Sequence, residues 1–263
     1  MKAILLAAGY GSRLRPLTNH LPKCLAPISG IPLIDIWIDK LVKSGINEII
    51  INTHYMSEIV REYLQGHPYE NYLRLSNEVE ILGTAGTLRK HSQSIKNEVL
   101  VVHADNLTNF NLDEFISCAR MRPINSPFVM LTFETDKPSS CGIVKVNDKN
   151  LLSGFYEKDK AFRGNIANAA IYILTREILD YLNANKSITD ISTELIPKFL
   201  NRIYTHHFNG LHLDIGTLDA WRQAQKYQIK IANQKLILKR WADFIDKKPD
   251  INNYLEVLSD SRT

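Results

Sequence analysis

"LLAAGYGSRLRPLTNHLPKCLAPI", residues 5–28, is the stretch on which the reading of the fold turns. An apolar run ends in two closely spaced glycines, Gly9 and Gly11, and three cations follow: Arg13, Arg15 and Lys23. A buried strand over 2–8 that runs into a glycine turn and then into positive charge is suited to a polyanion. The third glycine of a G-x-G-x-x-G dinucleotide fingerprint would fall at position 14, which is Leu14, so that fingerprint fails at its helix-packing position. No G-K-[ST] follows, so the turn is not a Walker loop either. What remains is a flexible turn whose backbone N–H groups face an anion, with the cations supplying charge.

Outward from this turn, helices and strands alternate. Residues 32–45 read as a helix, with Pro32 at its start and Gly45 just past its end. Residues 47–52 read as a strand, and 57–66 as a helix with Ser57 as N-cap and Gly66 as stop. A strand over 72–76, a helix over 84–94 and a strand over 97–105 complete the run. This alternation predicts an α/β fold with a doubly wound, mainly parallel sheet. After residue 125 the rhythm changes to short strands, in "PFVMLTF", "GIVKVN", "LLSGFYEK", "ANAAIYIL", "RIYTHHF" and "LHLDI". They predict a partly antiparallel extension carrying a second half-site. From about Thr217 the chain reads as helical, with Trp221, Ala224, Tyr227 and Ile231 spaced for one apolar face. This tail is expected to serve packing or a homodimer contact rather than catalysis. The division expected is one domain over 1–225 and a helical tail over 226–263.

The formal net charge of +4 is too mild to point to nucleic acid, and no basic tract is interleaved with aromatics. The apolar start is cut short by glycines and arginines, too soon for a signal peptide, and no apolar run approaches a membrane span. The three cysteines, Cys24, Cys118 and Cys141, have no paired spacing, which suggests reduced thiols and a cytoplasmic protein.

The opening stretch resembles the signature of the sugar-1-phosphate nucleotidyltransferases, L-A-A-G-x-G-[ST]-R-L-x-P-L-T followed by P-K. It stands here as Leu6-Ala7-Ala8-Gly9-Tyr10-Gly11-Ser12-Arg13-Leu14-Arg15-Pro16-Leu17-Thr18, then Pro22-Lys23. Ser12 replaces the commoner Thr and keeps the hydroxyl, and Cys24 replaces the commoner Pro. The resemblance implies the Rossmann-like fold of that family and a nucleoside triphosphate on the loop of Leu6, Ala8, Gly9, Gly11 and Ser12. It also implies Arg13 on the leaving pyrophosphate and Lys23 on the phosphates near the reacting phosphorus.

Charge on a triphosphate calls for Mg²⁺ and a few carboxylates in a roomy site. Asp105 and Asp214 stand at the ends of apolar runs. "HAD" resembles the family's G-D metal motif, with Ala104 for the usual Gly, and "LDIGT" resembles its D-I-G-T motif. Both aspartates are therefore expected to bind metal, and Asp105 to act in catalysis. His103 and His212 each lie two residues before an aspartate and would share its strand face. A His₂Asp₂ transition-metal site is one arrangement this allows. Histidines that merely pack beside a magnesium site are the other, and the hard ion that phosphate chemistry needs favours it.

"FYEKDKAFRGNIANAAIYIL", residues 155–174, resembles the family's E-K-P…N-A-G-I-Y segment, with Asp159 for Pro and Ala170 for Gly. The resemblance implies Glu157 and Asn168 on the sugar and Lys158 on its phosphate, with Gly142 letting the sugar approach the backbone. The pattern Glu78-Val79-Glu80-Ile81-Leu82-Gly83-Thr84-Ala85-Gly86 resembles the mannose-1-phosphate guanylyltransferases more than the thymidylyl or uridylyl enzymes. Gly83 and Thr84 then belong to the loop over the base. Glu78, an obligate acceptor when ionised, would read the two adjacent donors of guanine.

The reaction implied is attack by a sugar 1-phosphate oxygen on the α-phosphorus of a triphosphate, GTP favoured, without a covalent intermediate. Uridylyl, thymidylyl or cytidylyl transfer remains an alternative, as does a catalytically silent subunit that binds a sugar nucleotide. The presence of Arg13, Lys23 and both aspartates argues against the silent subunit, and Leu14 argues against a nicotinamide dehydrogenase. The C-terminal hexapeptide-repeat helix that often accompanies the family is not expected from a chain that turns helical.

Overall fold

The computed structural model describes residues 1–158 and 164–260. Strand β1 (Lys2–Leu6) is apolar because both of its faces are covered: Ala3 and Leu5 pack into one core cluster and Ile4 into another. It lies at the centre, parallel to β4 (Glu48–Thr53) on one side and β6 (Glu98–His103) on the other, with β5 (Leu73–Asn77) parallel beyond β4. A two-residue ladder, β2 (Pro27–Ile28) with β3 (Ile31–Pro32), precedes the first helix. Helices α1 (Leu33–Lys43), α2 (Ser57–Leu64) and α4 (Leu112–Arg120) bury Trp37, Tyr63 and Phe115 against one face of the sheet. Helices α3 (Gly83–His91) and α5 (Arg176–Ala184) bury Leu88 and Leu179 against the other. This is the doubly wound arrangement expected.

The second half extends the same sheet. A three-residue strand, β7 (Asn106–Thr108), leads out of it; β8 (Phe128–Glu134), β9 (Gly142–Val146), β10 (Leu152–Glu157), β11 (Ile166–Thr175) and β12 (Ile203–Phe208) follow. β11 runs antiparallel to β6, which joins the halves, and also antiparallel to β8 and β9. β8 pairs parallel with β12. The short strand β13 (His212–Asp214) leaves the main sheet and pairs antiparallel with β7. All six stretches expected as strands after residue 125 are present.

Three local readings change. Met56, with φ 52°, stands at the N-cap of α2, and Ser57 is the first helical residue rather than the cap. α3 stops at His91 and a 3₁₀ turn, Ser92–Ser94, takes over. The apolar face expected over 221–231 is not one helix: α6 (Leu218–Ala224) ends first, and Tyr227 and Ile231 reach the same core cluster from irregular chain. Helix α7 (Gln234–Asp246) then returns across α2, and α8 (Pro249–Asp260) packs against α7. Trp241 and Phe244 meet the Tyr63 ring edge-on at 5.6 and 5.1 Å. Arg240 donates to the carbonyls of Tyr63, Gln65 and Gly66, at 2.9, 3.1 and 2.7 Å, and so caps the end of α2. Among the described residues no helix is long and apolar enough to cross a membrane.

Candidate active site

The glycine turn leaves the C-terminal end of β1, where open α/β sheets bind ligands. Asn52, at the end of β4, steers its first residue: its Oδ1 accepts the Ala7 N–H at 2.7 Å. Gly11 has φ +62°, and a Cβ there would come within 2.8 Å of Thr18 Cγ2. Thr18 Oγ1 donates back to the Gly11 carbonyl at 2.8 Å. A 3₁₀ turn, Ser12–Leu14, begins here, with Leu14 fully buried and Ser12 and Arg13 exposed. The position that breaks the dinucleotide fingerprint is thus a core anchor. It turns Arg13 outward. Leu6 and Ala8 contribute backbone at this end of the strand, and the Leu6 carbonyl accepts the Ala104 N–H at 3.0 Å. That bond places Asp105 beside the turn.

The two aspartates, 109 residues apart, meet because β7 and β13 pair. Asp214 sits opposite Asn106, and the Ile215 N–H donates to the Asp105 carbonyl at 2.9 Å. Their carboxylates converge on one ammonium. Lys23 Nζ donates to Asp105 Oδ2 at 2.5 Å and to Asp214 Oδ1 at 3.1 Å, while Arg13 reaches Asp214 Oδ2 at 3.6 Å. Burial pushes Lys23 down, yet Asp105 and Asp214 outweigh it and raise its pKa above the ordinary value. Burial pushes Asp105 up, but Lys23 and His103 together hold its carboxyl below its ordinary value. Both groups are therefore charged at neutral pH.

The two carboxylates border the cavity and offer only oxygen donors, while Lys23 Nζ takes the point on which they converge. That set fits Mg²⁺. The His₂Asp₂ arrangement is not assembled: among the described residues no group of three or more His, Cys, Asp or Glu side chains could hold a metal ion. His212 packs its ring on Phe133, 4.2 Å between centroids, with a buried Nδ1 that has no hydrogen-bond partner among the described residues. Burial chiefly lowers its pKa to about 4, so it is neutral at physiological pH.

A cavity of about 600 Å³ opens beside the aspartates, and Gly142, Glu157, Asn168 and His212 line it. Lys158 is absent from its described lining. Its side chain is exposed and lies 3.5 Å from Glu157 Oε1. The lysine that does line the cavity is Lys137, with Ser140 beside it. Sequence reasoning missed both, although the turn-rich "ETDKPSSCG" between two apolar strands was the available signal. Gly142 has a nearer reason than the sugar: a Cβ there would come within 2.6 Å of Glu157 Oε2 and 2.7 Å of the Phe155 ring. Ala170, in the place of the family's Gly, adopts φ +54° where the β11–β8 register shifts between Asn168 and Tyr172. Asp159, the other departure, lies outside the described residues.

The loop expected over the base follows β5. Glu78 is 3% exposed. Its Oε1 accepts from Thr87 Oγ1 at 2.6 Å and Asn52 Nδ2 at 3.1 Å, and its Oε2 accepts the Leu82 N–H at 3.3 Å. Three protein donors thus occupy most of the carboxylate's accepting capacity. Through Asn52, the same carboxylate bears on the glycine turn. Gly83 has φ +77°, and Thr84 Oγ1 accepts the Ile191 N–H at 2.7 Å. Both face the segment after α5, which sequence reasoning did not connect to this loop.

Residues 2–230 match the family model described as nucleotidyl transferase. Mannose-1-phosphate guanyltransferase 2 of Candida glabrata is 31% identical over 225 residues, which are 82% of this chain and 61% of that protein. Mannose-1-phosphate guanyltransferase of Saccharomyces cerevisiae is 30% identical, again over 82% of this chain and 61% of its own length. The chain thus spans about three-fifths of the length of these curated relatives. Among solved structures, HddC from Yersinia pseudotuberculosis superposes with a TM-score of 0.72 at 22% identity, over 86% of this chain and 98% of that one. The same protein complexed with GMP-PN gives a TM-score of 0.71 at 21% identity, with the same coverage. At that identity the likeness shows the fold alone.

Proposed function

The chain belongs to the nucleotidyl transferase family, and on that premise we propose that it transfers a nucleotidyl group, from GTP by preference, to a sugar 1-phosphate. The observation that carries this reading is Lys23 Nζ between Asp105 and Asp214, with Arg13 on the outer side of Asp214. Four charges from three separated parts of the sequence meet where the glycine turn and the cavity adjoin. A phosphate oxygen of the sugar 1-phosphate attacks the α-phosphorus. The bond from that phosphorus to the oxygen bridging to the β-phosphorus breaks, and pyrophosphate leaves with the electron pair.

Catalysis of this kind is positioning and charge stabilisation. Lys23 bears on the charge that develops around the α-phosphorus, and Arg13 on the departing pyrophosphate. Glu157 and Asn168 accept and donate to sugar hydroxyls, and the cations for the sugar's phosphate are Lys158 at the rim and Lys137 in the wall. Asp105 and Asp214 would hold Mg²⁺, which neutralises triphosphate charge when bound.

The preference for GTP is supported by the two guanyltransferases at 30–31% identity. Pyrophosphate release across GTP, UTP, dTTP, CTP and ATP, each with mannose, glucose and heptose 1-phosphates, tests the reading. Release that needs both a triphosphate and a sugar phosphate, fastest with GTP, is expected. Release with no pair refutes it, and faster release with another triphosphate refutes the base assignment alone.

A further inference from the structure

The glycine turn is held from the end of β4, by four consecutive residues. Asn52 Oδ1 accepts the Ala7 N–H at 2.7 Å. The Thr53 carbonyl accepts the Glu78 N–H at 2.8 Å, and His54 Nδ1 donates to the Glu78 carbonyl at 2.8 Å. Tyr55 OH donates to the Thr18 carbonyl at 2.7 Å, and Thr18 Oγ1 donates to the Gly11 carbonyl at 2.8 Å. Residues 52–55 therefore reach the start of the turn, its second glycine and the segment after β5.

The middle of the turn is Tyr10, which is half-exposed. Its two neighbours differ in how they are held. Gly11 is packed: a Cβ there would come within 2.8 Å of Thr18 Cγ2. Gly9 is not: among the described residues nothing comes within 4 Å of where its Cβ would stand. Packing thus leaves the Gly9–Tyr10 side of the turn unfixed, and what fixes it is the Tyr10 side chain. That ring meets the His54 ring edge-on at 5.5 Å and the Tyr55 ring at 5.6 Å. Its hydroxyl lies 3.2 Å from His54 Nε2.

The direction of this last bond follows from the far side of the imidazole. A carbonyl can only accept, so Nδ1 carries a proton for Glu78, and in the neutral ring Nε2 is left with a lone pair. The Tyr10 phenol donates to it. A polar bridge thus runs from the Glu78 carbonyl through His54 to the tyrosine between the two glycines. A half-exposed phenol can be satisfied by water, so the bond contributes little to folding. Its consequence is local: it holds a glycine turn that would otherwise lose backbone freedom when an anion binds.

We propose that His54 and Tyr10 are positioning residues for the triphosphate: together with Tyr55 they preset the backbone N–H groups of the glycine turn before the nucleotide arrives, and His54 keeps that turn in register with the Glu78 segment. The proposal rests on the nucleotidyl-transfer reading and adds to it the residues that reduce the ordering cost of binding.

A double-mutant cycle on the full chain tests it, with Tyr10→Phe, His54→Asn and both together. Tyr10→Phe keeps the ring contacts and removes the hydroxyl. His54→Asn keeps a donor in the place of Nδ1 and has nothing in the place of Nε2. Both variants therefore lose the same bond. The first readout is the Kd for GTP with Mg²⁺ by calorimetry, which needs no turnover. Each single variant should raise it roughly fivefold, the worth of one neutral hydrogen bond. The double variant should bind no more weakly than the worse single, because the bridge is already broken. The KM for the sugar 1-phosphate and the urea midpoint should stay with the parent, since a merely structural role would move both. Tyr55→Phe, which frees the Thr18 carbonyl, should weaken GTP in the same way and stands in for any variant that fails to fold. Single variants within twofold of the parent, a double variant at the product of the singles, or a lowered urea midpoint with both substrates weakened overturn the proposal. A parent that binds GTP but releases no pyrophosphate with any sugar 1-phosphate refutes the reaction, and the calorimetric cycle still decides the positioning. A parent that binds no triphosphate refutes both.

Discussion

Replacing Glu78 by Gln separates two roles that the sequence left joined. As a direct reader of guanine, Glu78 would face the base, and the amide would change selectivity with little effect on folding. The structure gives it another position. It is 3% exposed and accepts from Thr87 Oγ1, Asn52 Nδ2 and the Leu82 N–H, at 2.6, 3.1 and 3.3 Å. Its backbone is also tied down, the N–H to the Thr53 carbonyl at 2.8 Å and the carbonyl to His54 Nδ1 at 2.8 Å. Glutamine has one acceptor oxygen. Whichever way the amide turns, at least one buried N–H or hydroxyl meets another donor, and the surviving bonds lose their ionic assistance. Bonds to charged groups are worth about 1.5–3 kcal/mol against about 1 for neutral ones, and a buried unsatisfied donor costs about 1–3, so Glu78→Gln should lose about 2–4 kcal/mol of stability. Urea unfolding followed by circular dichroism measures this. KM values for GTP, UTP, dTTP and CTP should rise together, because Asn52 and the glycine turn shift for every triphosphate, and the GTP preference should stay within threefold of the parent. Unchanged stability with a GTP preference that collapses by tenfold or more would refute the reasoning and restore Glu78 as the reader.

Asp105→Ala and Asp214→Ala should each lower kcat by roughly a hundredfold or more, since each removes one of the charges arranged around the α-phosphorus; near-normal pyrophosphate release at saturating Mg²⁺ contradicts the assignment. Ala170→Gly should stabilise the fold by about 1 kcal/mol, because φ +54° costs a residue with a Cβ about that much, and an unchanged or lowered melting temperature contradicts this. Burial is the main cause that lowers the Lys40 pKa from 10.5 to about 8. The unfolded chain therefore binds more protons across that window, and stability rises with pH through it. Lys40→Met should stabilise by about 1–2 kcal/mol at pH 7, net of the lost bond to the Phe110 carbonyl, and by less at pH 10; a gain that grows with pH contradicts the sign.

The central strands and helices of the first half could be read because they announce themselves locally. β1 is apolar from Ala3 to Leu6 since both faces are covered, and Pro32 and Gly45 bracket α1 where chain geometry requires it. The charged site was legible for a different reason: Asp105 and Asp214 stand where apolar runs stop, and Arg13 and Lys23 follow the glycine turn that leaves the C-terminal end of β1. What stayed hidden depends on contacts that no local pattern encodes. Glu78 looks like a solvated acid in "SNEVE", and its burial is set by Asn52 and Thr87, which arrive from 26 residues before and 9 after. Thr84 and Ile191, 107 residues apart, meet only because α3 and α5 share a face of the sheet. The tail's spacing from Trp221 to Ile231 suits a helix, yet α6 ends at Ala224 and Tyr227 and Ile231 find the same apolar cluster without one. Gly142 was read for a ligand and is explained first by the Glu157 carboxylate that fills its missing Cβ.

The central claim is that the bond broken lies between the α- and β-phosphoryl groups and that the α-phosphorus passes to the sugar phosphate. Incubation with sugar 1-phosphate and GTP labelled at either the α- or the γ-phosphorus, followed by separation of the products, measures this directly. The α-label should appear in a nucleoside-diphosphate sugar and the γ-label in pyrophosphate, each in step with the other. A γ-label that moves onto the sugar, or leaves as orthophosphate while the α-label stays in GDP, would contradict the account.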